Sequence, residues 1–231
     1  MKLIGLQKMT VLDFPGRVAC IVFTFGCNFR CPFCHNASLV MGDGNSDITE
    51  EDFFAYLKKR QGILDGVVVT GGEPLLQKGI EDFLRKIKSL GYEIKLDTNG
   101  TFPEKLKSIV KEGIVDYVAM DIKNAPEYYG ITSGKEDIDI AKIKESVDFL
   151  INQEKVEYEF RTTVVAQFHS ESMMDEIGEF IKGAKNYYLQ GFVDSGDLIG
   201  SNMSALPKAN MEKMADIVGK YVENVSLRGV N

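Results

Sequence analysis

Three cysteines lie within eight residues, Cys27, Cys31 and Cys34 in the run CNFRCPFC, and no other cysteine follows them. The C-x3-C-x2-C spacing lets three sulfurs converge from one short irregular segment onto a single inorganic core. Tetrahedral zinc normally takes four protein ligands, whereas a cubane iron-sulfur cluster held by three cysteines keeps one iron open to an exogenous ligand. Gly26 relaxes the backbone ahead of the run, Pro32 stiffens the turn between the last two sulfurs, and Phe33 supplies an aromatic wall beside Cys34. Blander readings stand beside this one: a half zinc site completed by His35 or by a partner chain, a thiol-disulfide pair, or free buried cysteines. In a redox pair the third cysteine would have no task. Cys20, seven residues upstream of Cys27 inside an apolar run, reads as a small core residue.

Further residues with chemical capacity close short apolar runs along the chain. Gly71-Gly72-Glu73-Pro74 offers two glycines whose backbone groups a polar ligand can approach and a carboxylate that can hold an ammonium group. Alternatively it is a plain strand-to-helix turn with Pro74 at the first helical position. Asp97-Thr98-Asn99-Gly100 and Asp121-Ile122-Lys123 read either as caps and turns or as a polar wall for ribose hydroxyls, a carboxylate and a monovalent cation. Arg161 opens the β-branched run RTTVV and needs an anionic partner if it faces inward, or water if it faces outward. Gln190 and Gly191 close the last such run.

These residues need elements to hold them. Strands are predicted at 18–25, 66–70, 92–96, 115–120, 157–165 and 186–189, with amphipathic helices between them at 50–60, 76–90, 104–112, 141–153 and 173–182. Alternation of this kind yields a parallel sheet through right-handed crossovers, with ligands at the carboxyl ends of the strands, where every motif above falls. A helix near 207–221 precedes a strand or tail, VENVSLR. LDFPG at 12–16 reads as a turn and GDGNSD at 42–47 as a mobile loop.

The 231 residues are 44% hydrophobic, enough for a full core, and contain no low-complexity linker or fixed-period repeat, so one domain is expected. A formal charge of −7 with interspersed signs argues against nucleic acid as the main partner. MKLIGLQKMT lacks the apolar core of a secretory signal, and no apolar run approaches the ~20 residues that span a bilayer, so no membrane association is expected. Clustered cysteines fit a reducing compartment, and the cytoplasm is the expected location.

Taken together, the cysteine loop with its aromatic before the last sulfur, the GGEP after the second strand and the six-strand α/β order resemble a radical S-adenosylmethionine enzyme. More narrowly, residues 6–17 (LQKMTVLDFPGR), the Cys34-His35-Asn36 continuation, the DTNG and the Asp-Ile-Lys resemble activating enzymes of glycyl radical enzymes, especially those of anaerobic ribonucleotide reductase. The resemblance implies a partial (βα)6 parallel barrel in one domain over 1–231, with an N-terminal extension at 1–17, a barrel core at 18–190 and a C-terminal helix and tail at 191–231. It implies that Cys27, Cys31 and Cys34 ligate three irons of one four-iron, four-sulfur cluster, whose fourth iron takes the amine and carboxylate of S-adenosylmethionine. Phe33 and the backbone through Cys34 and His35 would pack against adenine, and Gly72 and Glu73 would receive the amino group. Asp97, Asn99, Asp121 and Lys123 would serve cation, ribose and carboxylate contacts, and Arg161 would neutralise the carboxylate or the region of bond cleavage. Some relatives place a histidine where this chain has Gln190, and some carry a cysteine-rich ferredoxin-like insertion that is missing here, so one cluster is expected.

The implied activity is reductive cleavage of S-adenosylmethionine followed by hydrogen abstraction from a glycine of a large glycyl radical enzyme, whose glycine loop would enter a barrel that so short a chain is expected to leave laterally open. A low-potential donor such as flavodoxin or ferredoxin would supply the electron. Two alternatives remain at this stage: a radical enzyme acting on a small molecule, such as a deazapurine-forming synthase, and a non-catalytic zinc-binding module.

Overall fold

A computed structural model describes residues 1–46 and 48–230, so Asp47, the last residue of the loop expected at 42–47, lies outside the described residues. Eight strands form one sheet in sequence order, β1 (Leu3–Thr10), β2 (Ala19–Thr24), β3 (Gly66–Gly71), β4 (Glu93–Thr98), β5 (Tyr117–Asp121), β6 (Glu157–Val164), β7 (Asn186–Gly191) and β8 (Asn224–Arg228). Strands β2 to β7 are the six read from sequence and run parallel. Two more flank them, β1 antiparallel on β2 and β8 parallel on β7, and the linear order leaves the sheet open. Sequence reading missed β1 because only its end residues Leu3 and Thr10 are buried and its pairing is irregular at two points, so no period-two pattern shows.

Helices α1 (Ala37–Met41), α2 (Glu50–Arg60), α3 (Ile80–Ser89), α4 (Pro103–Lys111), α5 (Tyr129–Ser133), α6 (Ile140–Asn152), α7 (Glu171–Phe180) and α8 (Lys208–Val218) fill the connections. Thr49 and Asp52 make a reciprocal capping box that starts α2. The helix expected from residue 76 begins instead at Ile80, because Pro74–Leu76 turns as a short 3-10 segment closed by the Glu73 carboxylate. No helix among the described residues is long and apolar enough to cross a membrane.

Alternation along the parallel strands divides the core. Cys20, Val22, Val67, Val69, Ile94, Leu96, Val118 and Met120 join the main apolar core with the helices. The other face encloses a small apolar plug of Ala19, Ile21, Val68, Tyr117, Ala119 and Phe14. Both faces are covered, so the β2 and β3 sequences read as unbroken apolar runs. Phe14, in the stretch expected only to turn, stands edge-on to Tyr117 with centroids 6.1 Å apart. A Cβ on Gly66 would lie 2.8 Å from the Phe14 ring, so the glycine makes room for the plug. Phe14→Ala should therefore destabilise the chain by about 3–5 kcal/mol in urea titration. A loss under about 1 kcal/mol would contradict the plugging role.

Candidate active site

Above that plug, at the carboxyl ends of the strands, a solvent-connected cavity of about 270 Å³ is lined by Cys27, Cys31, Cys34, Thr70, Gly72, Asp97, Asn99, Asp121, Lys123, Arg161 and Gln190 among others. The cysteine loop reaches it from β2 through Gly26 at φ 85°, left-handed backbone that favours glycine. Arg30, unremarked in the sequence reading, pins the loop by donating through Nη1 to the carbonyls of Cys27 and Phe29 at 2.7 Å each. Its own amide donates to the Ser133 carbonyl at 2.8 Å, and the Cys34 amide donates to the Cys31 carbonyl at 3.0 Å.

All four cysteines are free thiols. Burial pushes Cys27 up to about 11 and Cys31 up to about 12, so as bare thiols they stay protonated and would need a bound metal to become thiolates. Among the described residues no three His, Cys, Asp or Glu side chains stand close enough to grip one metal ion. All three thiols nonetheless line the one cavity. The Phe29 amide and the Asn99 side-chain amide approach the Cys27 sulfur at 3.4 and 3.9 Å. Cys20 is fully buried in β2 among the apolar side chains, as its sequence context suggested.

The glycines of GGEP are set by the cysteine loop. A Cβ on Gly72 would fall 1.9 Å from the Gly26 carbonyl oxygen, and Gly71 holds φ 123°. The amides of Gly72 and Glu73 donate to the carbonyls of Thr24 and Gly26, so they are not free for a ligand as the sequence suggested. Glu73 requires a further correction. Its side chain is fully buried, with Oε1 accepting from the Leu75 amide and Thr98 hydroxyl and Oε2 from the Asn99 amide. Burial raises its pKa to about 7 against the pull of those donors. The carboxylate staples the end of β3 to that of β4, leaving no oxygen directed at an ammonium group.

Inward-facing residues of β4, β5 and β6, with Lys123 two residues past the end of β5, form an alternating chain of charge, Lys95, Asp97, Arg161, Asp121 and Lys123. Lys95 donates to Asp97 at 2.6 Å, Arg161 to Asp97 at 3.3 Å and to Asp121 at 3.0 Å, and Lys123 to Asp121 at 3.1 Å. Three cations and two carboxylates leave it with a charge of +1. Burial alone would raise Asp121, but Arg161 and Lys123 outweigh it and hold the carboxyl at about 2. Burial likewise opposes charge on Lys123 and Arg161, yet the carboxylates raise both. Arg161 therefore faces inward with anionic partners. Lys95 was missed, although a lysine two residues before Asp97 in EIKLDT shares its face of the strand.

A family model for the radical SAM superfamily matches residues 21–181. A Methanocaldococcus jannaschii protein named as a glycyl-radical enzyme activating enzyme is 31% identical over 234 residues, 98% of this chain and 95% of its own length. The chain belongs to the radical SAM superfamily, in its family of glycyl-radical enzyme activating enzymes. The pyruvate formate-lyase 1-activating enzyme of Escherichia coli is 32% identical over 52% of the chain, which spans only half of that relative. The crystal structure of Streptococcus suis SuiB bound to S-adenosylmethionine overlaps 90% of this chain and 49% of its own with a TM-score of 0.71, and at 13% identity it shows the shared fold alone.

Membership of the radical SAM superfamily implies a four-iron cluster and S-adenosylmethionine, and the donor set fits both. Three unpaired thiols line one cavity together with the ion-paired side chains of Asp97, Arg161, Asp121 and Lys123. The remaining members of the expected set are also here, with two qualifications. Phe33 lines the cavity, but its ring is buried against Phe168 and His169, at centroid distances of 5.7 and 6.2 Å, which leaves its backbone to meet a ligand. His35 is half-buried beside Phe192, 5.5 Å between centroids, and burial lowers its pKa, favouring a neutral ring. His169, which no local motif marks, is buried and bonds the Lys123 carbonyl at 2.9 Å.

Proposed function

We propose that the protein is a radical SAM activase for anaerobic ribonucleotide reductase, carrying one four-iron, four-sulfur cluster on Cys27, Cys31 and Cys34. The observation that carries this reading is the sharing of one cavity by three free thiols and the linked Asp97, Arg161, Asp121 and Lys123 side chains. When bound, the cluster and S-adenosylmethionine would supply the reductive radical chemistry needed for hydrogen abstraction from a glycine α-carbon. The protein contributes position, charge and shelter. Lys123 and Arg161 would hold the methionyl carboxylate, and backbone along Thr70, Gly71 and Gly72 would receive the amino group. Backbone through Phe33, Cys34 and His35 would meet adenine, and Asp97, Asn99, Asp121 and Gln190 would serve the ribose side. Because Asp97 and Asp121 already have cationic partners, a monovalent cation would have to compete with them.

The electron comes from a low-potential donor of flavodoxin or ferredoxin type, and the setting is cytoplasmic. The deciding experiment incubates reduced, anaerobic protein with S-adenosylmethionine and, separately, anaerobic ribonucleotide reductase or pyruvate formate-lyase. A glycine-centred radical signal on the reductase alone is the expected result. A signal on pyruvate formate-lyase alone would reassign the partner, and 5′-deoxyadenosine with no partner radical would favour a small-molecule substrate. Colourless protein that binds zinc would overturn the reading.

A further inference from the structure

The cysteine loop does not hold its own outer edge. It runs through Cys34, His35 and Asn36 into α1, a helix of five residues whose N-cap Asn36 makes no side-chain capping bond and whose first turn carries no acidic residue. Both deficits are made good from far along the chain. Asp197 lies in the connection between β7 and α8, 159 residues from Ser38. Its Oδ2 accepts from the Ser38 amide at 3.1 Å and the Ser38 hydroxyl at 2.7 Å, and its backbone carbonyl accepts from the Ala37 amide at 3.3 Å. A carboxylate here satisfies otherwise orphaned helix donors and complements the positive end of the helix.

Neighbouring residues of the same connection grip the same stretch. The Gly200 amide donates to the Pro32 carbonyl at 2.8 Å, the Ser195 hydroxyl to the His35 carbonyl at 3.3 Å, and Phe192 packs on His35. From the other side, the Leu39 carbonyl accepts from the Gly26 amide at 2.9 Å, tying α1 back to the start of the loop. Residues 32–39 are thus held between the sheet and a strap at 192–200. Connections of this length without regular structure are commonly functional.

We propose that Asp197 is a positioning residue for the reaction, capping α1 from the strap so that Cys34 and the backbone beside it stay in the conformation that receives the cluster. The proposal rests on the reading of the three cysteines as cluster ligands. Two measurements on Asp197→Ala, Asp197→Asn, Ser38→Ala and the unaltered chain test it. In metal-free protein, amide hydrogen exchange should speed up about five- to tenfold at residues 37–39 in Asp197→Ala, as expected for loss of a cap, with the rest of the chain unchanged. In anaerobically loaded protein, transfer of iron to a ferrous chelator should be about tenfold faster in Asp197→Ala. Asp197→Asn and Ser38→Ala, which each retain part of the contact, should fall near threefold.

Exchange that rises equally throughout the chain, or chelation rates within twofold of the unaltered protein, would overturn the positioning role while leaving the cluster assignment intact. An unaltered chain that takes up no four-iron cluster would overturn the functional reading, and this proposal with it.

Discussion

Cys31→Ala is expected to leave the protein folded, nearly free of iron and unable to cleave S-adenosylmethionine. Cys31 is 6% exposed, and burial drives its thiol pKa to about 12, so the native loop alone does not stabilise a thiolate there. Such a sulfur becomes a strong ligand only when a metal displaces its proton. With Cys31 gone, Cys27 and Cys34 supply two anchors where a cubane with one open iron needs three. We expect iron per chain after anaerobic loading to fall to under one-tenth of the unaltered protein's, and cleavage to fall by more than about a hundredfold, the upper end for merely supporting groups around a metal. Cys20→Ala is the matched control. It removes another buried thiol, one within β2 and off the cavity, among Val22, Val67 and their neighbours, and should cost about 1–2 kcal/mol of stability with cluster and cleavage preserved. Cleavage retained in Cys31→Ala, or a cluster lost in Cys20→Ala, would contradict the ligand assignment.

What could be read from the chain beforehand followed the range of the interactions. The cysteine loop is local, so its three sulfurs, Gly26 and Pro32 could be understood together, and apolar runs with period two or 3.6 located β2 to β7 and most helices. Residue type at a strand end located Asp97, Asp121, Lys123 and Arg161, since a charged side chain there must find a partner. What the types could not say was which partner. Glu73 looks like a ligand contact in the string GGEP, yet its oxygens are committed to Thr98 and Asn99, 25 and 26 residues away. Glu159 and Arg228 form a bidentate pair at 2.8 and 2.9 Å across 69 residues, with Glu159 fully buried, and neither stands in any motif. Asp197 is equally silent in sequence. Where function depends on a contact closed by the fold, the residues at either end look ordinary on their own.

Arg161→Met should show how much the chain of charge contributes, because Arg161 alone bridges its two carboxylates. The substitution keeps much of the side-chain volume while Asp97 retains only Lys95 and Asp121 only Lys123, and the local charge falls from +1 to zero. Breaking a buried ion pair by removing one partner costs about 3–5 kcal/mol, and the 29% exposure of Asp121 argues for the lower end. Binding of S-adenosylmethionine should weaken by about 10- to 100-fold, while methionine amide, which lacks the carboxylate, should bind either protein with the same affinity. The acid limb of stability carries an independent signature. In the unaltered protein Asp121 is held at about 2, below the ~3.9 of an unfolded aspartate. A depressed acid adds stability that is complete above about pH 4 and is lost as pH falls from there toward 2. Asp97 is shifted in the same direction by Arg161 and Lys95 against its burial. Urea titrations of metal-free protein between pH 2.5 and 7 should therefore show the two stability curves converging as the medium is acidified, because Arg161→Met has less of this term to lose. Curves that stay parallel would mean that Arg161 does not hold these carboxylates ionised. Its place between Asp97 and Asp121 would then have to be explained by packing alone.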